Sequence, residues 1–241
     1  MPWDFVVILA VMGIVVPWRG FQRIRELLRQ PALSSEERVA VYFSTMIVQW
    51  PAALVVLWRA LARGLRFEHL GLALPDPQFT LAVTVVLSAV LVVVQFTGLK
   101  RMARLPPDRQ GLLGEIARKL MPATLRERRV FVLLVVTVAA CEEFLYRGFA
   151  LAAFDDAFAA VALSGAVLSS ALFALAHLYQ GTRGMVMTFV VGLLFAGARQ
   201  YTGSLLPCVV AHFLADLVAG LAAPRLLQGP GAAPTGRHNE L

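Results

Sequence analysis

Charged residues are scarce in this chain of 241 residues. Asp, Glu, Lys and Arg make up 15% of it, whereas soluble globular domains contain about 25%. Hydrophobic residues make up 59%, and several apolar runs approach the roughly 20 residues that a helix needs to cross a bilayer. A soluble helical bundle could not cover so much apolar surface with so few charges. The composition therefore predicts a polytopic membrane protein that contacts lipid.

Cysteine and lysine are also scarce. The two cysteines, Cys141 and Cys208, both lie in apolar stretches, which argues against a disulfide framework and predicts small buried hydrophobic side chains. Lys100 and Lys119 are the only lysines beside 20 arginines, a bias that favours a bacterial protein of the inner membrane. The net charge of +7 follows membrane topology, as shown below, and does not indicate nucleic-acid binding.

Seven apolar stretches predict an all-α transmembrane bundle. They lie at about 3–18, 39–58, 78–99, 130–154, 157–178, 184–198 and 203–223. The first has no basic segment before it, so we expect a retained span and not a cleaved signal peptide. The first and sixth are short, and a re-entrant or buried segment is the alternative for each.

The basic residues predict the orientation in the membrane. Residues 19–38 carry five Arg, residues 100–129 carry nine Arg or Lys, and alternation of the spans places both segments on one side. Arg183, Arg225 and Arg237 fall on that side too, whereas Arg59, Arg63, Arg66 and Arg199 fall on the other. The positive-inside rule therefore places the N-terminus outside and the C-terminus in the cytoplasm.

Three parts of the chain differ in character. Residues 1–129 form N-terminal membrane helices with basic loops, and residues 130–223 hold nearly all the ionisable groups expected at membrane depth. Residues 224–241 are rich in Gly, Pro and Ala, which predicts a disordered tail. Because ionisable groups are costly inside a membrane, residues 130–223 are where chemistry is expected.

The fourth stretch contains the pattern E-E-x-x-x-R, formed by Glu142, Glu143 and Arg147. Glu143 and Arg147 are four residues apart, so they share a helix face and can pair. Glu142 lies about 100° around the helix from Glu143, so it is free to face a polar cavity. The alternative is that the span ends early, which would place both glutamates at the interface.

Two further patterns lie in later spans. The fifth ends in F-x-x-x-H, from Phe173 to His177, and the seventh holds H-x-x-x-D, from His212 to Asp216. Asp216 is one turn after His212, so the two are expected to pair. The other histidines, His69 in a loop and His238 in the tail, lie outside the spans.

In order and pattern, these motifs resemble those of the CAAX-protease and bacteriocin-processing family, which includes the type II CAAX prenyl endopeptidases. The resemblance covers about residues 130–223. It implies a helical fold with a polar catalytic cavity inside the membrane, and proteolysis that depends on a glutamate. By position, Glu142 would activate water with His177 as its partner, while His212 and Asp216 would lie near the scissile carbonyl. Eukaryotic CAAX enzymes use Asn at the last position, so Asp216 leaves the substrate open.

The resulting hypothesis is an intramembrane endopeptidase without a metal, which cuts a peptide or protein substrate, with CAAX-type C-terminal processing as the family theme. Glu142 would be the general base and His212 the oxyanion donor, with Glu143, Arg147 and Phe173 in support. Glu142, His177 and His212 could alternatively bind a catalytic zinc ion. There is no His-Glu-x-x-His motif for a site-2 type enzyme.

Two other classes of protein remain open at this point. Glu, His and Asp in spans also serve as proton relays in transporters, although no internal repeat of the kind found in many transporters is evident. A non-catalytic membrane scaffold or immunity protein that binds a partner's transmembrane segment is the other alternative. Loss of function on mutation of Glu142 would separate a protease from a scaffold.

Overall fold

The computed structural model describes residues 1–227, and within them the chain is helical, with no β-strand. The predicted all-α class is confirmed. The helices are α1 (Trp3–Ala10), α2 (Val16–Arg29), α3 (Ser35–Ala62), α4 (Pro77–Ala103), α5 (Gly111–Leu120), α6 (Leu125–Glu143), α7 (Leu151–Ala157), α8 (Ser164–Ala176), α9 (Gly181–Thr202) and α10 (Leu206–Leu227). Short 3₁₀ turns at Pro107–Arg109 and Leu178–Gln180 precede α5 and α9.

Two π-helical segments join neighbouring helices into longer ones. Val11–Val15 connects α1 to α2, and Phe144–Ala150 connects α6 to α7. The first lies just before Pro17, which has no N–H to donate and whose ring clashes with the preceding turn, so a wider turn accommodates it. The second follows Glu142 and Glu143 directly. Short π-helical turns within α-helices are frequent at functional sites.

Five helices are long and apolar enough to cross a membrane, which together with the many exposed apolar side chains makes this an integral membrane protein. They are Trp3–Arg29, Ser35–Ala62, Pro77–Ala103, Leu178–Thr202 and Leu206–Leu227. The predicted count of seven is not confirmed, because the helix with the two glutamates is not among these five and α8 has only 13 residues.

The predicted ends of three spans differ from the observed helices. The first and sixth predicted spans belong to helices of 27 and 25 residues, so neither is short. The fifth was predicted from residue 157, but α8 begins at Ser164, after a loop in which Leu163 adopts a left-handed φ of 63°. That turn reverses the chain between α7 and α8.

Side-chain caps fix where two of the long helices begin. Ser34 and Glu37 form a capping box at the start of α3, and Thr124 and Glu127 form one at the start of α6. Each box satisfies backbone N–H groups that the first turn leaves without helical partners. The first turn of each helix still carries charged residues, and the apolar sequence begins at Val39 in α3 and at Val130 in α6.

The helix formed by α6, the π-helical segment and α7 lies at the centre of the bundle. It packs against α3, α8 and α10, and the main hydrophobic core forms around it. Side chains on the outside of α1, α3 and α4 are apolar and exposed, including Val6, Ile47 and Val86. The arrangement buries the charged side chains of Glu143 and Arg147 within protein and leaves uncharged faces for lipid.

The final helix extends into the predicted tail. Residues 224–227, predicted to be disordered, form the last turn of α10, where Leu227 packs with Leu99, Ala117 and Ala223. Burial of this turn against α4 and α5 explains why it is helical although it contains Pro224. The remainder of the predicted tail, including His238, lies outside the described residues.

Candidate active site

Glu143 is the centre of a buried ionic cluster. Its side chain has no exposed area, and Oε1 accepts hydrogen bonds from Arg147 Nη1 at 3.1 Å and from His212 Nδ1 at 2.8 Å. Arg147 was predicted from the four-residue spacing, whereas His212 comes from α10, 69 residues away in the chain. Glu143 therefore joins the E-E-x-x-x-R motif to the H-x-x-x-D motif.

The guanidinium of Arg147 lies between two aromatic rings. Its central carbon is 4.0 Å from the ring centroid of Phe173 and 5.2 Å from that of Phe195. A cation over an aromatic face is stabilised by the ring's quadrupole, and this stabilisation is larger where water is excluded. Together with Glu143, the two rings stabilise a cation that is completely buried.

Phe173 also positions both membrane histidines. Its ring centroid lies 4.6 Å from that of His177 and 6.2 Å from that of His212, each in an edge-on arrangement. The F-x-x-x-H motif thus supplies an aromatic ring that contacts the arginine and both imidazoles, which gives a physical reason for a Phe at this position.

One hydrogen bond fixes the tautomer of His177. Its Nδ1 lies 2.9 Å from the carbonyl oxygen of Phe173, and since a carbonyl only accepts, Nδ1 carries the proton. In a neutral imidazole, Nε2 is then left as an acceptor. His177 is the residue that ends α8 and is only partly buried, so the acceptor can reach a water or a substrate.

Asp216 lies farther from His212 than Glu143 does. The distance between His212 Nε2 and Asp216 Oδ2 is 3.5 Å, and 42% of the Asp216 side chain is exposed. This contact is longer than the usual 2.7–3.2 Å of an N–H···O hydrogen bond. His212 and Asp216 are neighbours, as predicted, but the carboxylate of Glu143 lies closer to His212.

Glu142 points to a different set of groups from Glu143. Its Oε1 accepts a hydrogen bond from Gln49 Nε2 on α3 at 3.1 Å. Oε2 is buried and has no hydrogen-bond partner among residues 1–227. One oxygen of Glu142 is therefore held, and the other is available.

Two residues of this site were missed from the sequence. Phe195 lies in the apolar run of α9, where nothing distinguishes it from other apolar residues. Gln49 did carry a signal, because it is a polar amide in the middle of an apolar span, and such groups usually find a partner within the bundle.

The described part of the chain contains no group of three or more His, Cys, Asp or Glu side chains arranged to hold a metal ion. The Nδ1 atoms of both site histidines already contact protein oxygens. These contacts leave Nε2 of each histidine as the ring nitrogen that could bind a metal ion, so the alternative zinc site at Glu142, His177 and His212 stays a prediction.

An open cavity of about 310 Å³ lies between α8 and α9, away from these residues. Its lining is mostly apolar and consists of Leu163, Ala166, Val167, Leu193, Gly197, Gln200 and Tyr201. None of the predicted site residues lines this cavity, so it is not the polar cavity expected from the sequence.

Residues 125–218 match a protein-family model described as type II CAAX prenyl endopeptidase Rce1-like. This range begins with α6 and includes all three motifs, from Glu142 to Asp216. The predicted resemblance to this protease family is confirmed. No curated protein and no solved structure matches the chain.

Proposed function

We propose that this chain, whose residues 125–218 match the Rce1-like CAAX protease family, is an intramembrane endopeptidase in which Glu142 activates a water molecule. The supporting observation is the different environment of two adjacent glutamates. In each glutamate Oε2 is buried without a partner among the described residues, but Oε1 of Glu143 is held by the ionic contact with Arg147 and by His212, whereas Oε1 of Glu142 accepts only from the neutral amide of Gln49. A general base needs a free oxygen within reach of the proton that it accepts.

His177 is the proposed partner of Glu142. Its Nδ1 proton is committed to the Phe173 carbonyl, so Nε2 accepts a hydrogen bond from one O–H of the water. Glu142 Oε2 accepts the proton of the other O–H as the water oxygen attacks the carbonyl carbon. Later, the same proton passes to the departing amine nitrogen, when the C–N bond breaks.

His212 has a structural contact and a proposed catalytic one. Nδ1 donates to Glu143, which leaves Nε2 as the atom that can face the carbonyl oxygen of the substrate. When protonated, Nε2–H would donate to the oxyanion of the tetrahedral intermediate. The carboxylates of Glu143 and Asp216 both lie beside this ring and favour its cationic form.

The proposed substrate class is a C-terminal CAAX-type peptide that reaches the site from the membrane. The family match supports this class, and the burial of the charged cluster within apolar helices suits a substrate with a lipid-soluble C-terminus. The basic segments at residues 19–38 and 100–129 would face the cytoplasm.

The test uses purified protein in proteoliposomes and an internally quenched peptide that ends in a farnesylated CAAX sequence. Wild type should cleave the peptide, Glu142→Gln should not, and His69→Ala should match wild type because His69 lies in an exposed loop. Exhaustive chelation should leave the rate unchanged. Activity in Glu142→Gln would contradict the proposal, and zinc-dependent recovery after chelation would replace it with a metal mechanism.

A further inference from the structure

Helix α3 contributes one polar contact to the catalytic glutamate. Gln49 Nε2 donates to Glu142 Oε1 at 3.1 Å, across the packed pair of helices α3 and α6. Gln49 lies outside the segment that matches the family model, so neither the family motifs nor the spacing of charged residues points to it.

The chemistry of the two groups fixes how the Gln49 amide is turned. An ionised carboxylate only accepts hydrogen bonds, so the NH₂ side of the amide must face Glu142. The carbonyl side then faces elsewhere, and Gln49 Oε1 is buried with no partner in the described part of the chain. If the amide were flipped, Gln49 Oε1 would face Glu142 Oε1, and neither oxygen could donate a hydrogen bond.

This contact decides which oxygen of Glu142 is free. The donor holds Oε1, and Oε2 remains buried without a protein partner among residues 1–227. Without Gln49, the carboxyl could rotate about its terminal torsion, which is broad for Glu, and the free oxygen would have no fixed direction.

We infer that Gln49 is a positioning residue that favours the ionised form of the Glu142 carboxyl and aims Oε2 at the hydrolytic water. The inference rests on the proposed function, because it assigns Gln49 a role through Glu142. A hydrogen bond to an ionised group in dry surroundings stabilises that form and fixes its geometry. Gln49 itself neither gains nor loses a proton.

The experiment compares two changes at Gln49 with a control one residue away. Gln49→Met keeps the side-chain length but removes the donor, and Gln49→Glu keeps the side-chain shape but can donate to Glu142 only when it is protonated. The control is Trp50→Phe, because Trp50 Nε1 donates to Thr137 Oγ1, also at 3.1 Å and also between α3 and α6. The control removes an equivalent interhelical hydrogen bond outside the ionic cluster.

Two readouts are taken on folded, full-length protein. The first is cleavage of the farnesylated peptide, for which kcat should fall about 10- to 100-fold in Gln49→Met and Gln49→Glu with KM unchanged. The second is the rate at which dicyclohexylcarbodiimide modifies Glu142, followed by mass spectrometry. This reagent attacks the protonated carboxyl, so Gln49→Met should react faster than wild type, and Trp50→Phe should match wild type in both readouts.

The outcomes separate the two proposals. Wild-type kcat and wild-type labelling in Gln49→Met, with Glu142→Gln inactive, would overturn the role of Gln49 and leave the proposed function intact. An active Glu142→Gln would instead overturn the proposed function. If wild type does not cleave the peptide, that failure counts against the proposed substrate, and labelling alone decides whether Gln49 holds Glu142.

Discussion

Glu143 and His212, which are 69 residues apart in the chain, form a 2.8 Å hydrogen bond between α6 and α10. The same oxygen of Glu143 also accepts from Arg147, so one buried carboxylate connects two motifs. Glu143 is thereby committed to contacts within the protein, which supports a different role for the adjacent Glu142.

Arg147→Ala should destabilise the fold as well as abolish activity. Both Arg147 and Glu143 are completely buried, and removal of one partner from a buried ion pair costs about 3–5 kcal/mol. We expect a lower yield of folded protein and a lower midpoint of thermal unfolding in detergent. Arg66→Ala is the control, because its pair with Glu68 is exposed and is worth about 0–1 kcal/mol. An Arg147→Ala protein as stable as this control would contradict a structural role.

Glu143→Gln should reduce activity more than Asp216→Asn. Glu143 is the buried partner of His212 at 2.8 Å, while Asp216 is partly exposed and 3.5 Å away. A partly exposed pair is worth about 1 kcal/mol or less, so Asp216→Asn should lower kcat by about fivefold at most. Steady-state kinetics of both variants check this order. Equal losses would show that Asp216 is as important to His212 as Glu143 is.

Glu127 should make part of the stability depend on pH. Its carboxylate lies before the apolar part of α6 and accepts from the backbone N–H of Ala123 and from Arg38 at 2.6 and 2.9 Å. Burial alone raises the pKa of Glu127, but these hydrogen bonds and the charge of Arg38 outweigh burial, so the pKa lies below its ordinary value.

Because the folded pKa of Glu127 is the lower one, its contribution is complete above the unfolded value of about 4.3 and is lost as the pH falls through the folded value. The difference in unfolding midpoint between wild type and Glu127→Gln should therefore be constant near neutral pH and shrink in acid. A difference that grows as the pH falls would have the wrong sign for this account.

The predicted orientation can be checked with single cysteines in intact cells. Arg109→Cys should resist a membrane-impermeant maleimide, and Asp156→Cys should react, because position 109 lies in the basic segment and position 156 on the opposite side. The native Cys141 and Cys208 are 1% and 0% exposed, so they should not react with the maleimide. Rapid external labelling at position 109 would reverse the topology.

The local features of the site could be predicted from the sequence. Helical spacing places residues four apart on one face, so the pairing of Glu143 with Arg147 and the closeness of His212 to Asp216 needed no tertiary information. The π-helical turn at Phe144–Ala150 did not prevent the first pair from forming. The membrane class followed as directly, because 59% hydrophobic residues exceed what a soluble fold can bury.

Span boundaries were harder to predict because hydropathy does not distinguish lipid from protein surroundings. The helix from α6 to α7 buries its charged residues Glu143 and Arg147 within the bundle and exposes apolar residues such as Leu133 on its other side. Helix α8 is short because a left-handed turn at Leu163 ends the preceding loop. Both were predicted as ordinary spans from their apolar content.

The sequence by itself determined the membrane class, the resemblance of residues 125–218 to a protease family and the residues that carry charge at depth. Only the tertiary structure decided that Glu143 is held by Arg147 and His212 and that Glu142 is held by the neutral amide of Gln49. His212, Phe195 and Gln49 come from α10, α9 and α3, and each reaches the motif helix only because those helices pack around it. Spacing along one helix fixes neighbours within that helix, whereas contacts between helices depend on how their side chains interlock.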